Sequence, residues 1–208
     1  ETLLTGFGAA PTKSEGSSVE FDTAAEQWTA RYVHETIALA FAITEEAVED
    51  NLYDTLSKRY TAALARSMAY TKQVKAANVL NNAFSSSFVG GDGKELCATD
   101  HPTLMAGTQS NEPATAADLS ESSLENAIIQ IGGFADDRDI PVAVQARKLI
   151  IPKDLAFTAQ RILKSDLRVG TADNDTNALR SMGMLPEGYV VNHYLTDTDA
   201  FFILTDLT

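Results

Sequence analysis

At 208 residues, 44% of them hydrophobic, the chain can bury the core of one large domain or two small ones, which excludes a disordered protein. A formal charge of -13 argues against gripping nucleic acid by phosphate neutralisation, which needs clustered Lys and Arg. The single cysteine excludes an internal disulfide, and there is neither a signal peptide nor an apolar run of about eighteen residues to span a membrane, which fits synthesis in a reducing cytoplasm.

Residues 1–22, "ETLLTGFGAAPTKSEGSSVEFD", hold two short apolar pieces around a Gly-, Pro- and Ser-rich stretch, predicting two extended arms with a mobile tip that cannot pack alone. In "ARYVHETIALAFAIT", Val33, Ile37, Leu39, Phe41 and Ile43 alternate with Thr36 and small alanines. Period two predicts a strand. His34 reads there as a half-exposed strand histidine, since no acid or nucleophile is spaced to pair with it.

From Thr44 to about Phe84 neither Gly nor Pro intervenes, predicting one helix roughly 60 Å long. Thr44 is its N-cap, Ile43 can staple on Val48, and Val48, Leu52, Leu56, Tyr60, Ala63 and Leu64 share a face. Lys58, Arg59, Arg66, Lys72 and Lys75 fall in a stretch free of acids and are expected to pair with carboxylates of neighbouring elements or subunits.

"SSSFVGGDGKELCATDHP" at 85–102 concentrates chemistry-bearing residues, but no spacing fits. A phosphate loop needs glycine five before Gly93 and Ser or Thr after Lys94, where Phe88 and Glu95 stand. Zinc needs about four ligands, and Cys97 and His101 find no second pair. A Cys97 nucleophile needs a base and a lowered pKa. The expected reading is a surface loop, with glycines in turns and Cys97 packed inward.

Further on, Ser120, Ser122 or Ser123 caps a helix carrying Leu124, Ala127, Ile128 and Ile131, stopped by Gly132 and Gly133. "ARKLIIP" reads as a buried strand and "PKDLAFTAQRILKS" as an amphipathic helix with Leu155, Ala159, Ile162 and Leu163 inward. "TADNDTNALRSM" spaces Asp173, Asp175 and Asn177 like a calcium loop, but Ala178 and Met184 stand where glycine and a bidentate glutamate belong. "YVVNHYL" and "AFFILTD" around "TDTD" predict an antiparallel hairpin. The whole is an α+β chain.

Three stretches, "ETIALAFAITEEAVEDNLYD" at 35–54, "NNAFSSSFVGGDGKELCATDHP" at 81–102 and "YLTDTDAFFILTD" at 194–206, resemble the major capsid proteins of tailed bacteriophages with the Hong Kong 97 fold, in particular the Mu-like major head subunit group. The resemblance implies a β-hairpin arm over 1–35, a peripheral domain with strand and long spine helix over 36–92, and a mixed axial domain from 93 to 208, in a chain with both ends missing. It implies self-assembly into pentamers and hexamers of an icosahedral shell around double-stranded DNA, enclosed without sequence-specific binding. Expected partners are identical subunits, scaffold, portal and a decoration protein, with no membrane; the virion is the destination and the bacterial host cytoplasm the place of synthesis. No catalytic residue, cofactor or metal is implied. Phe7, Lys13, Val19 and Phe21 in the arm are the candidate subunit contacts. Some relatives crosslink through a lysine and an asparagine; Lys13 lies where such a lysine would be sought, with no assignable partner. The alternatives are an encapsulin-like compartment shell, an acidic cytosolic enzyme using Cys97, Asp100 and His101, and an interaction domain whose arm orders on a partner.

Overall fold

A computed structural model describes residues 2–50, 53–104, 107–168 and 175–207. The chain forms two compact units, residues 1–31 with 81–208, and residues 32–80.

In the larger unit, β1 (Thr2–Leu4) pairs antiparallel with β2 (Glu26–Thr29), Thr2 opposite Thr29 and Leu4 opposite Glu26. The arm is therefore a hairpin, but its return strand lies beyond the apolar piece at 19–21. Two-residue strands β3 (His101–Pro102) and β4 (Thr108–Gln109) make a second small ladder. The core strand is β5 (Ala146–Ile151), with β6 (Tyr189–Val191) parallel on one side and β7 (Phe202–Thr205) antiparallel on the other. β6 and β7 are thus not the predicted hairpin: β5, whose Leu149 and Ile151 are fully buried, takes the centre and separates them.

Helix α3 (Glu121–Gly132) starts at Ser120, whose hydroxyl accepts the Ser123 amide while Ser123 Oγ accepts the Ser120 amide, and ends at Gly133. Of its predicted apolar face, Leu124, Ile128 and Ile131 are buried. They join Leu149 and Ile151 in one cluster with Ala159, Ile162 and Leu163 of α4 (Ala156–Lys164) and Leu179 of α5 (Ala178–Ser181). A one-turn 3₁₀ helix, Lys153–Leu155, links β5 to α4 after the buried Pro152. In the rejected calcium reading, Asp173 lies outside the described residues. Asn177 is instead a buried structural amide: it caps α5 through the Arg180 amide and donates to the carbonyls of Ile162 and Ser165.

The smaller unit holds α1 (Glu45–Glu49) and most of α2 (Tyr53–Asn81). The predicted single helix is divided by a turn at Asp50, and Leu52 lies outside the described residues. Thr44 occupies the N-cap in extended backbone, but its side chain makes no capping bond. The strand predicted over 33–43 is absent as an element. An alternating chain becomes a strand only through a ladder partner, and no described strand pairs with it. His34 is exposed there. Glu35 pairs with Lys75, and Phe41 packs on Tyr60 with ring centroids 5.7 Å apart. The expected apolar face of the helix is covered only in part, with Val48 and Tyr60 each about half exposed. Among the described residues no helix is long and apolar enough to cross a membrane.

Candidate functional site

The arm leaves several large apolar side chains exposed. Its stem closes at Thr5, 5% exposed, whose amide donates to the Ala25 carbonyl at 2.9 Å and whose hydroxyl accepts the Ala25 amide at 2.7 Å. Farther out, the Gly8 amide donates to Asp22 Oδ2 at 2.7 Å. Bonds from the amides of Gly8 and Thr23, and then the Arg138 guanidinium, hold the Asp22 carboxyl below its usual range. Beyond this neck Phe7, Val19 and Phe21 are exposed, Phe21 at 96%, and Lys13 is exposed near the tip turn where the Ser17 amide donates to Ser14. The predicted contact residues therefore share one segment, and the described residues of the subunit leave them uncovered.

The glycine-rich loop proves to be a seat for this arm. The Gly90 amide donates to the Lys94 carbonyl at 2.7 Å, and Gly93, at φ 78, supplies the left-handed step that closes the turn. A Cβ on Gly91 would stand 3.3 Å from backbone atoms of Thr29 and Ala30, a tight contact that would push the loop off β2 by a few tenths of an ångström. The catalytic candidates are not brought together. His101 Nδ1 is 2.7 Å from Asp92 Oδ2, Lys94 pairs with Asp100, and no hydrogen bond joins Cys97 to His101. Burial pushes the Cys97 thiol up to about 11, with the Glu112 carboxylate adding to it, the reverse of what a nucleophile needs. Burial also raises Asp92, but hydrogen bonds from His101 and the Lys94 amide outweigh it and hold the carboxyl below its usual range. Among the described residues no group of three or more His, Cys, Asp or Glu side chains is placed to hold a metal.

Sequence reasoning missed the turn at 136–140. Asp137 and Arg138 reach the arm's neck from it: Asp137 Oδ1 accepts the Gly6 amide at 3.4 Å, and Arg138 Nη2 donates to the Thr23 carbonyl at 2.7 Å. The available signal was "DDRDIP", four charges two residues after the Gly-Gly helix stop.

Comparison with known proteins identifies the fold and the family. The structure of the bacteriophage JBD30 capsid matches 94% of this chain and 86% of that one with a TM-score of 0.59 at 14% identity. A JBD30 capsid decorated with minor capsid protein trimers matches 94% and 85% with a TM-score of 0.60 at 13% identity. At such identity the likeness shows the fold alone. No curated protein sequence matches. Residues 27–208 match the family described as phage capsid protein. The chain belongs to the phage capsid protein family: it is a major capsid subunit with an α+β capsid fold, a structural protein of the virion.

Proposed function

We propose that this subunit closes into pentamers and hexamers of an icosahedral shell by laying its arm, residues 1–35, over a neighbouring copy. In this reading residues 36–92 form the peripheral part with the spine helix and residues 93–208 the axial part around the capsomer axes. The observation that carries it is the arm: Phe7, Val19 and Phe21 stand exposed on a segment whose own hairpin cannot bury them. Burying one such side chain on a neighbour is worth about 1.5–3 kcal/mol, and the same contact repeated under rotational symmetry sums over the shell. Lys13 at the tip adds a polar contact.

The enclosed polymer is double-stranded DNA. An acidic chain of net charge -13 lines it without trapping it, since like charges repel at short range. No catalytic step is assigned: the thiol of Cys97 is poorly ionised and the imidazole of His101 is engaged by Asp92. Scaffold and portal proteins, with a decoration protein like the trimers on the JBD30 capsid, complete the proposed partners, and the host cytoplasm is the place of synthesis.

The test is deletion of residues 6–22, read by circular dichroism for folding and by electron microscopy with light scattering for assembly. The expected result is a folded subunit that makes no shells under conditions where the intact chain does. Normal particles from the deletion would overturn the arm assignment.

A further inference from the structure

One short turn holds the arm's neck from outside. Asp136 Oδ1 accepts the amides of Arg138 and Ile140, both at 2.9 Å, the Asp136 amide donates to the Ile140 carbonyl, and Asp139 takes φ 63. A carboxylate bonded to its own turn's amides fixes that turn. The Gln109 side chain anchors it further through the Asp136 carbonyl at 2.7 Å. From this base Asp137 grips one side of the arm at Gly6 and Arg138 the other at Thr23. Arg138 also faces Asp22, the residue that ties Gly8 across the hairpin. Among the described residues the tip from 9 to 21 has hydrogen bonds only within itself, so the neck sets its direction.

The grip is not fully closed. Arg138 Nη1 stands 3.6 Å from Asp22 Oδ1, beyond hydrogen-bond length. The Arg138 side chain is 13% exposed, yet its Nε has no partner, nor has Asp137 Oδ2. Buried polar atoms left unpaired cost free energy. A small movement of Asp22 toward the guanidinium would bring its carboxylate onto Nη1 and the second hydrogen of Nη2 together, the two-point geometry that carboxylates and arginine favour.

We infer that Arg138 is the positioning residue of the arm: it holds the neck loosely in the free subunit and closes into a two-point pair with Asp22 when the arm seats on a neighbouring copy. This rests on the capsid reading above. The experiment is amide hydrogen exchange by mass spectrometry on free subunits and on shells, for the intact chain and for Arg138→Ala, Arg138→Lys and Asp22→Asn. In free Arg138→Ala subunits exchange at the bonded neck amides, residues 5–8 and 23–25, rises about tenfold, with α3 and β5 unchanged. Arg138→Lys keeps one donor for Thr23 but cannot fork, so its free subunits exchange nearly as the intact chain does while its shells are as scarce as those of Arg138→Ala. Unchanged exchange at residues 5–8 and 23–25 in Arg138→Ala overturns the positioning role, and shells at full yield from Arg138→Lys overturn the closure. If Arg138→Ala does not fold, Asp22→Asn, altered on the exposed arm, must show the same rise in exchange at residues 5–8 and 23–25 and the same loss of shells; normal values overturn the inference. Failure of the intact chain to form shells would count against the capsid reading, while the free-subunit exchange would still decide the neck.

Discussion

Replacing Leu149 by alanine tests the core that carries the arm. Leu149 is 0% exposed at the middle of β5, opposite Tyr189 on β6 and Ile203 on β7, and it packs with α3 and α4 in the central cluster. Truncation removes three carbons, about 2.4 kcal/mol at 0.8 kcal/mol each. The strands on both sides restrict collapse of the space, and the cavity term brings the loss to about 3–4 kcal/mol. For a chain of this size that is a fall in Tm of roughly 6–16 °C. Leu204→Ala on β7 is the control: Leu204 is 45% exposed, so its loss stays below about 1 kcal/mol. Urea and thermal melts followed by far-UV circular dichroism measure both. A loss below about 1 kcal/mol at Leu149, or equal losses at the two positions, would refute the assignment of β5 as the buried centre.

Ser120→Ala removes one half of the α3 capping box and lowers stability by about 1 kcal/mol, with faster amide exchange in the first turn, whereas Ser122→Ala, just inside the helix, leaves both unchanged. Cys97→Ala leaves shell yield unchanged, and in the intact subunit at pH 8 the thiol alkylates roughly a hundredfold more slowly than a free thiol, because only about a thousandth of it is ionised; full-rate alkylation of the folded chain would contradict its burial. Glu187, held low by its hydrogen bond from Lys148 at 2.6 Å, and Glu35, held low by Lys75, have folded pKa values below their unfolded ones. Their stabilisation is complete above the ordinary glutamate value and lost as the pH falls through the lowered one, so Tm drops between about pH 5 and 3, and drops less in Glu187→Gln.

What was legible followed from periodicity and caps. Leu124, Ile128 and Ile131 between Ser120 and Gly132 define α3 without any tertiary information, and Ala159, Ile162 and Leu163 do the same for α4. The partners of strands were not legible in the same way. "YVVNHYL" and "AFFILTD" are neighbours in sequence, but local pattern cannot tell that β5, some forty residues upstream, fits between them. The alternation over 33–43 states a readiness to pair, and pairing needs an edge that no described strand offers it. The neck was hidden for another reason: its bonds run from side chains at 137 and 138 to backbone at 6 and 23, and backbone partners leave no mark on residue type. Gly91 was noticed as a turn glycine, while its use, close approach to Thr29 and Ala30, is a fact of space alone.

The central place of β5 also orders events at the ribosome. Its two edges are filled by strands that are both synthesised later, Val191 pairing with Ile151 and Thr205 with Ala146. At about 5–20 residues per second, the interval from completion of β5 to synthesis of β7 lasts roughly three to ten seconds, during which the arm and α3 have been made but the β5 sheet is open. A nascent subunit therefore has no finished β5 sheet until Thr205 has emerged.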